Sequence, residues 1–450
     1  MKTYDLVVVG AGPSGLLAAK AAGQGGLQVA LLERKSDITR LDRMCGQTFV
    51  SMNDYYFGDL VIYNRTGKRI GFSKNGFSFH YDGPTKNSYA WHIYSPDGSL
   101  LPFGLPEETR KKGDYGAVAL SYDKEILLRC LLEEVKDAGV DVFPGTHVTD
   151  VSTHANGVNV SGNGKTFQSL YAIGADGTNS TLAKLLGFNK DRIFNGYLFS
   201  KGWYMRGVDA PSLDVLTSSI TYKTVAPGYL FIFPRPYEDD LNVVFLTLDP
   251  RVNLDDVANY YLNENPFFCR WFNHAERMQQ HASAQYIFSP IVEPYKDRVL
   301  LAGDTGSAQE LENSGAMISG WKAGNAIVTA LKEERVGLTS QGISDYIKWW
   351  KATYIEGYRY EDYIMNFALP FVIDNEEDLN YIFRLVKDPL PPCWNPYAAI
   401  AHLGQLVQRL IPTIQKERPD ILPKLQKMSK PMTEILESTI RACKPLLDLD

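Results

Sequence analysis

The sequence predicts an α/β protein in three parts: a βαβ unit at its start, an antiparallel β-sheet in its middle, and helices towards its end. First, the apolar run Tyr4–Val9 leads through a glycine-rich turn into an alanine-rich segment. Second, short aromatic and β-branched runs, separated by Asn-, Gly- and Pro-containing turns, fill two blocks around 51–112 and 194–288. Third, nearly all of the chain from Ser344 onward has helical periodicity.

The first unit is a strand over Tyr4–Val9, a turn over Gly10–Gly15, a helix over Leu16–Ala22 and a second strand over Leu27–Leu32. The turn reads Gly-Ala-Gly-Pro-Ser-Gly. Its first glycine permits the tight turn, its second lets a pyrophosphate approach the backbone, and its third lets helix and strand pack closely. The start of the helix then directs its partial positive charge at the phosphates.

Glu33 closes the second strand at the distance expected for an acid that accepts hydrogen bonds from an adenosine ribose. The cations Arg34 and Lys35, which follow it, leave open a ligand with a 2′-phosphate. A strand before the glycines, a helix after them and an acid at the next strand end together predict dinucleotide binding.

The middle of the chain contributes a helix over Asp123–Ala138 and strands over Ser218–Tyr222, Tyr229–Phe233 and Asn242–Leu248. A buried strand over Arg298–Ala302 then leads into a helix over Ala316–Leu331. Prolines at 389, 391, 392 and 396 predict a loop between two groups of helices in the tail, since proline lacks a backbone donor.

Composition excludes several classes of protein. The net charge of −6 is spread along the chain without a long basic run, so nucleic acid is not an expected partner. The five cysteines are scattered, which argues against an iron–sulfur cluster or a zinc site, and no histidine belongs to a metal pattern, so no metal is expected. No stretch of membrane-spanning length is free of charge. We expect a cytoplasmic protein without a transmembrane segment, whose contact with membranes would be peripheral.

Two further motifs resemble those of the para-hydroxybenzoate hydroxylase-like flavoproteins. The run 297–304 ends in Gly303-Asp304 and is similar to their second flavin signature, in which the aspartate binds the ribitol of FAD. The run 174–180 contains Asp176-Gly177 and is similar to a segment near their flavin pyrophosphate. The three motifs occur in the family's order, so the resemblance implies FAD as cofactor and a glutathione-reductase type Rossmann-like fold.

The closest branch of that superfamily is the geranylgeranyl reductase family. The run 227–234 resembles its Tyr-x-Trp-x-Phe-Pro substrate motif, with Phe231 in place of the tryptophan. Strand geometry puts Tyr229, Phe231 and Phe233 on one face, which would wall an apolar cavity. Cys45-Gly46 resembles the reductases' Cys-Gly loop that approaches the flavin. Trp91 is a further candidate for the pocket.

Two departures from the family stand out. Ala119 occupies the position of a common arginine, although Tyr122-Asp123 are retained, so one FAD contact is in doubt. After Gly303-Asp304 the reductases have an Asn-Pro-containing loop, where this chain carries Gln309, Glu310 and Glu312.

These observations give a full set of expectations. An FAD-binding domain comprises 1–50, 113–190 and 289–335, a substrate domain 51–112 and 191–288, and a helical region 336–450. The candidate pocket residues are Tyr229, Phe231, Phe233 and Trp91; the candidates for catalysis, where no acid or base is identified, are Cys45, Tyr229 and Phe231. The candidate cofactor residues are Gly10, Gly12, Pro13, Ser14, Gly15, Glu33, Arg34, Arg43, Cys45, Gly46, Asp176, Gly177, Gly303, Asp304, Gly315 and Ala316.

Three functions fit. The resemblance favours hydride transfer from reduced FAD to a carbon–carbon double bond of a hydrophobic, isoprenoid-like substrate, with NAD(P)H or a reduced carrier protein as electron donor. A flavin monooxygenase that uses NAD(P)H and oxygen on an apolar substrate shares the scaffold. A non-catalytic or electron-transfer flavoprotein is the third alternative.

Overall fold

The structure is a computed structural model that describes residues 2–50, 53–307 and 313–447. The expected loop residues Gln309, Glu310 and Glu312 lie outside these ranges.

Strands occupy the first two thirds of the chain. They are β1 Thr3–Val9, β2 Val29–Leu32, β3 Thr48–Val50, β4 Val61–Asn64, β5 Arg69–Phe72, β6 Phe77–His80, β7 Thr85–Ser88, β8 Trp91–Tyr94, β9 Leu100–Phe103, β10 Ala119–Tyr122, β11 Asp141–Phe143, β12 Val148–His154, β13 Gly157–Gly162, β14 Lys165–Gly174, β15 Phe194–Arg206, β16 Leu216–Thr221, β17 Gly228–Pro234, β18 Asp240–Thr247, β19 Glu276–Phe288, β20 Tyr295–Lys296 and β21 Val299–Leu301.

Helices connect the early strands and form the end of the chain. They are α1 Pro13–Gln24, α2 Pro106–Thr109, α3 Lys124–Asp137, α4 Thr181–Leu185, α5 Leu254–Asn259, α6 Ser314–Arg335, α7 Gln341–Trp350, α8 Tyr360–Met365, α9 Leu369–Val372, α10 Glu376–Arg384, α11 Pro396–Glu417, α12 Leu422–Gln426, α13 Met432–Ile435 and α14 Glu437–Leu447. A π-helical segment over Lys351–Gly357 continues α7.

The first sheet contains the two strands of the predicted βαβ unit, β1 and β2, side by side. Its order is β11-β2-β1-β14-β13-β12, with β21 beside β14 and β20 beside β21. The strands β11, β2, β1, β14 and β21 run parallel, and Val9 lies level with Leu32 and Gly174, which in turn lies level with Leu301. Four carboxyl ends therefore meet at one edge, where open α/β sheets bind ligands.

Helices α1 and α6 pack against each other backbone to backbone. A Cβ at Gly320 would lie 2.1 Å from the carbonyl oxygen of Ser14, and a Cβ at Gly324 would lie 2.4 Å from that of Ala18. Since real side chains need more than 3 Å, only glycine allows the two helices to approach this closely.

The largest other sheet has the order β19-β15-β18-β17-β16-β8-β9. Most of its pairs are antiparallel, as expected, but β16 pairs with β8 in parallel. The long segment 95–215 between those strands makes this pairing accessible, because parallel neighbours need a long crossover. The sheet is fully buried along β17 and β18.

The block 51–112 divides among three sheets rather than joining one. Strands β8 and β9 belong to the large sheet, β4-β5-β6 form a separate three-stranded sheet, and β7 pairs with β10, which also pairs with β3. The division into an FAD-binding and a substrate domain therefore stays a prediction.

The C-terminal region packs against the large sheet at its β9 edge. The proline-rich loop attaches to the edge strand β9: Leu390 donates its N–H to Pro102 O at 2.8 Å and accepts from Gly104 N at 2.9 Å. In the part of the chain that the structure describes, no helix is both long and apolar enough to cross a membrane.

Candidate cofactor and substrate site

A cavity of about 390 Å³ opens at the edge where the four parallel strands end. Its walls come from the glycine turn after β1, from Glu33 after β2, from Asp176 after β14 and from Asp304 after β21. Sequence-distant motifs meet here because the strands that carry them are in register.

The three glycines of the turn differ in their surroundings. Gly10 has a φ of +99°, and a Cβ there would lie 2.3 Å from the carbonyl oxygen of Ala175. A Cβ at Gly15 would lie 1.8 Å from Gly10 O, so this residue allows the helix to pack on the turn. No described atom lies within 4 Å of a Cβ placed at Gly12, which lines the cavity. These are the three roles that the spacing predicts.

Helix α1 begins at this turn without a capping side chain. Its first N–H groups therefore need other partners, and phosphate oxygens suit them. The Ser14 hydroxyl lines the cavity as well, is buried, and has no hydrogen-bond partner among the described residues. Gly12, Pro13 and Ser14 thus fit a pyrophosphate.

Glu33 is buried and ties two loops together. Its Oε2 accepts from Ala11 N at 2.7 Å, and its Oε1 accepts from Lys35 N at 2.8 Å. A carboxylate offers about four lone-pair sites, so it keeps acceptor capacity for ribose hydroxyls. Arg34 lines the same end of the cavity.

Asp176 connects the loop after β14 with the loop after β21 through hydrogen bonds. It accepts from Ser180 Oγ at 2.5 Å and from Leu182 N at 3.2 Å, and its Oδ1 lies 3.3 Å from the Thr305 hydroxyl. Gly177 N donates to that same hydroxyl at 2.9 Å. Desolvation raises the pKa of the Asp176 carboxyl, although these hydrogen bonds oppose the rise. The two motifs after β14 and β21 therefore form one unit.

Asp304 and Arg43 complete this edge. Desolvation raises the pKa of the Asp304 carboxyl, and the charges of Arg43 and Lys124 oppose that rise. The Arg43 guanidinium lies over Gly177, where a Cβ would be 3.0 Å from its Nη2. A half-buried carboxylate with cations nearby fits a ligand rich in hydroxyl groups.

Cys45 lies in a polar cluster that the sequence did not reveal. Lys124 Nζ donates to Cys45 Sγ at 3.3 Å and to Asn313 Oδ1 at 3.0 Å, and Asn313 Nδ2 lies 3.6 Å from the same sulfur. All three residues line the cavity, as does Gly46. Lys124 directly follows the retained Tyr122-Asp123 pair, which was the available signal for it.

The aromatic strand β17 supplies an apolar wall. Phe231 and Phe233 line the cavity, and their rings stack with centroids 6.0 Å apart. Phe231 also lines an adjoining apolar pocket of about 50 Å³, together with Trp91, Trp394 and Phe367. Phe231 therefore lies between the cofactor cavity and this apolar pocket, which residues of the C-terminal segment also line.

Several expected site residues do not line the cavity. Tyr229 turns its hydroxyl away and donates to Phe367 O at 2.8 Å. Gly15, Gly303 and Gly315 support the walls instead: a Cβ at Gly303 would lie 2.8 Å from Ser14 Cβ, and one at Gly315 would meet the Phe57 ring. Ala316, next to Gly315, does line the cavity.

Comparisons with known proteins give one family match and several relatives. Residues 3–201 match the FAD binding domain family. Digeranylgeranylglycerophospholipid reductase 1 of Methanosphaera stadtmanae is 26% identical over 347 residues, which cover 74% of this chain and 77% of that protein.

Solved structures share the fold. A geranylgeranyl bacteriochlorophyll reductase-like protein from Thermoplasma acidophilum matches 95% of this chain and 100% of its own, with a TM-score of 0.68 and 16% identity. A p-nitrophenol 4-monooxygenase from Pseudomonas putida matches 90% of this chain and 99% of its own, with a TM-score of 0.59 and 14% identity.

Proposed function

We propose that this chain, an FAD-dependent oxidoreductase related to the geranylgeranyl reductases, transfers a hydride from reduced FAD to a carbon–carbon double bond of a hydrophobic, isoprenoid-like molecule. One observation carries the proposal: Phe231 lines both the cofactor cavity and the apolar pocket beyond it. An apolar chain that enters past Phe231 would lie against the cofactor.

Different residues of the cavity would bind different parts of FAD. The N–H groups at the start of α1, with Gly12, Pro13 and Ser14, would bind the pyrophosphate. Glu33 would hold the adenosine ribose, and Asp304 the ribitol. Asp176 acts through Ser180 and Thr305 and positions the loop.

Bound FAD would supply the hydride, and the protein would orient the acceptor and keep it dry. Phe231 and Phe233 present apolar faces that replace water around the double bond. Trp91 is held in place at the wall of the adjoining pocket, because its Nε1 donates to Ser218 Oγ at 2.9 Å and its ring stacks on Phe103 with centroids 5.1 Å apart.

Saturation of a double bond also needs a proton. Cys45 and Lys124 line the same cavity and carry exchangeable protons, with Asn313 fixing the Lys124 amine. We assign this cluster as the proton source. Reduction of the flavin would come from NAD(P)H or a reduced carrier protein, and a membrane-derived substrate would reach the cavity through peripheral contact.

The monooxygenase alternative rests on fold alone, since its structural relatives share the scaffold at low identity. The relatives matched in sequence include reductases. The aromatic wall suits either chemistry, so the products must decide.

The deciding experiment is anaerobic. FAD-loaded protein, reduced chemically, is mixed with geranylgeranyl lipids, and products are analysed by mass spectrometry. We expect a gain of two hydrogen atoms per reaction and reoxidation of one flavin. A hydroxylated product that forms only when oxygen is admitted, with no saturation under anaerobic conditions, would establish the monooxygenase instead.

A further inference from the structure

A second cavity, of about 350 Å³, lies next to the cofactor cavity. Gly46 and Lys124 line the cofactor cavity, whereas the adjacent residues Gln47 and Asp123 line the second one. The two cavities therefore adjoin each other along the backbone at Gly46-Gln47 and at Asp123-Lys124. We call the second one the Arg235 pocket.

Arg235 is the central side chain of this pocket. Its guanidinium lies 3.5 Å from the ring centre of Tyr204 and 4.9 Å from that of Tyr237, and the residue is only 8% exposed. Its closest charged partners are Asp123 at 3.7 Å and Asp240 at 3.6 Å. The Arg235 side chain makes no hydrogen bond to any residue that the structure describes, and its Nε is buried without a partner.

This arrangement points to a ligand. A guanidinium carries five N–H donors in its plane, and a buried donor that stays unpaired costs stability. Tyr204 and Tyr237 contact the guanidinium through their rings, while the two carboxylates lie beyond hydrogen-bond distance, so the donors in its plane, and Nε above all, can still take a closer acceptor. A planar group with an oxygen acceptor, entering edge to edge, would satisfy them.

The surrounding charge selects the kind of acceptor. Arg206 and Arg235 carry two positive charges, and Asp123, Glu125 and Asp240 carry three negative ones, so the formal charge of the lining is −1. An anion would face these carboxylates. A neutral group with an acceptor beside a donor pairs with both Arg235 and the flanking aspartates.

We propose that the Arg235 pocket binds a neutral planar carboxamide of a small molecule. Its carbonyl oxygen accepts from the Arg235 guanidinium, and its amide N–H groups donate to Asp123 or Asp240. The assignment is independent of the reaction proposed above, because it rests on a separate cavity.

The pocket is connected to the loop beside the cofactor. Gln47 Oε1 accepts from Lys124 N at 2.8 Å, and Gln47 Nε2 donates to Tyr204 OH at 2.5 Å. Asn242 Nδ2 donates to Cys45 O at 2.9 Å. A ligand bound against Tyr204 would therefore perturb its hydrogen bond with Gln47, which is one of the bonds that hold the Cys45–Gln47 loop.

Nicotinamide and nicotinate form a matched pair of probes, since they differ only in a neutral carboxamide against a carboxylate. Each is titrated into the FAD-loaded full chain and followed by ligand-observed NMR. We expect saturable binding of nicotinamide and binding of nicotinate weaker by about tenfold or more. Equal or tighter binding of nicotinate, or no binding of nicotinamide, would overturn the proposal.

Two variants locate the site. Arg235→Gln removes the charged fork, and Arg235→Lys keeps the charge but loses the planar donors. Both should weaken nicotinamide binding about tenfold or more while FAD stays bound, which shows that the chain is folded. Arg277→Gln is the control, because Arg277 also lies over an aromatic ring, that of Trp203 at 4.7 Å, but outside the pocket. Unchanged binding in both Arg235 variants would refute the assignment.

Discussion

The two ends of the cofactor cavity are built by different means. At the phosphate end the backbone forms the wall, and Gly10, Gly12 and Gly15 allow its shape. At the apolar end the side chains of Phe231 and Phe233 form the wall on a regular strand. At the first end a Cβ at Gly10 or Gly15 would meet backbone atoms, whereas at the second end the side chains of a regular strand form the wall. Substitutions at these two glycines should therefore change the backbone, and substitutions at Phe231 and Phe233 only the lining of the cavity.

The largest effect should come from Gly10→Ala. Its Cβ would clash with Ala175 O, and its φ of +99° is unfavourable for alanine. We expect complete loss of bound FAD, measured from flavin absorbance per protein. Gly26→Ala is the matched control, with a φ of +86° but no described atom within 4 Å of the Cβ; it should cost about 1 kcal/mol in urea unfolding and retain FAD. Equal FAD content in both variants would contradict a backbone-defined site.

Phe231→Leu tests the apolar end. We expect kcat/KM to fall by about tenfold to a hundredfold, because the rings that orient the double bond are lost, while FAD binding stays unchanged. Phe245→Leu is the control on the neighbouring strand β18, where Phe245 belongs to a different core cluster from Phe231. It should lower stability but not turnover. Loss of FAD in Phe231→Leu would contradict the view that the two ends of the cavity have separate roles.

Glu33→Gln sharpens the comparison within the phosphate end. Removing the charged acceptor should weaken FAD binding by about tenfold, measured by fluorescence titration of the apoprotein. FMN lacks the adenosine that Glu33 would contact, so its affinity should stay the same. A parallel loss for both flavins would mean that Glu33 acts only through Ala11 and Lys35.

The smallest effect concerns pH. Since the pKa of Asp304 is raised in the folded apoprotein, the folded state binds the proton more tightly than the unfolded state. Stability should therefore fall as pH rises from the ordinary aspartate pKa through the raised one. Asp304→Asn should remove this pH-dependent loss of stability, measured by urea unfolding across that pH range. An identical pH profile for both proteins would contradict the assignment.

Sequence reasoning succeeded where backbone geometry restricts the residue type. The unit β1-α1-β2, the tight turn at Gly10 and the close packing at Gly15 followed from spacing, whereas the resemblance to the flavoproteins was what implied cofactor roles for Asp176 and Asp304. It failed where side-chain direction decides. Period-two alternation places Tyr229 on the face of Phe231, but it does not say how far along the strand the cavity extends, and the Tyr229 hydroxyl points to Phe367.

The polar cluster around Cys45 was also beyond the sequence. Lys124 and Asn313 are 189 positions apart, and only the tertiary fold brings them together. The Tyr122-Asp123 pair marks the position of Lys124, but a single lysine at a helix start does not reveal which side chains it will contact. The Arg235 pocket could not be predicted for the same reason, since its lining residues come from five separate segments.

The contact between α1 and α6 has a further consequence. Gly320 and Gly324 fix the separation of two helices, one beginning at the phosphate turn and the other beginning beside Ala316. The pair therefore fixes the distance between the glycine turn before α1 and the part of the cavity wall formed by Ala316. A shortened or lengthened cofactor could match one end or the other, but not both.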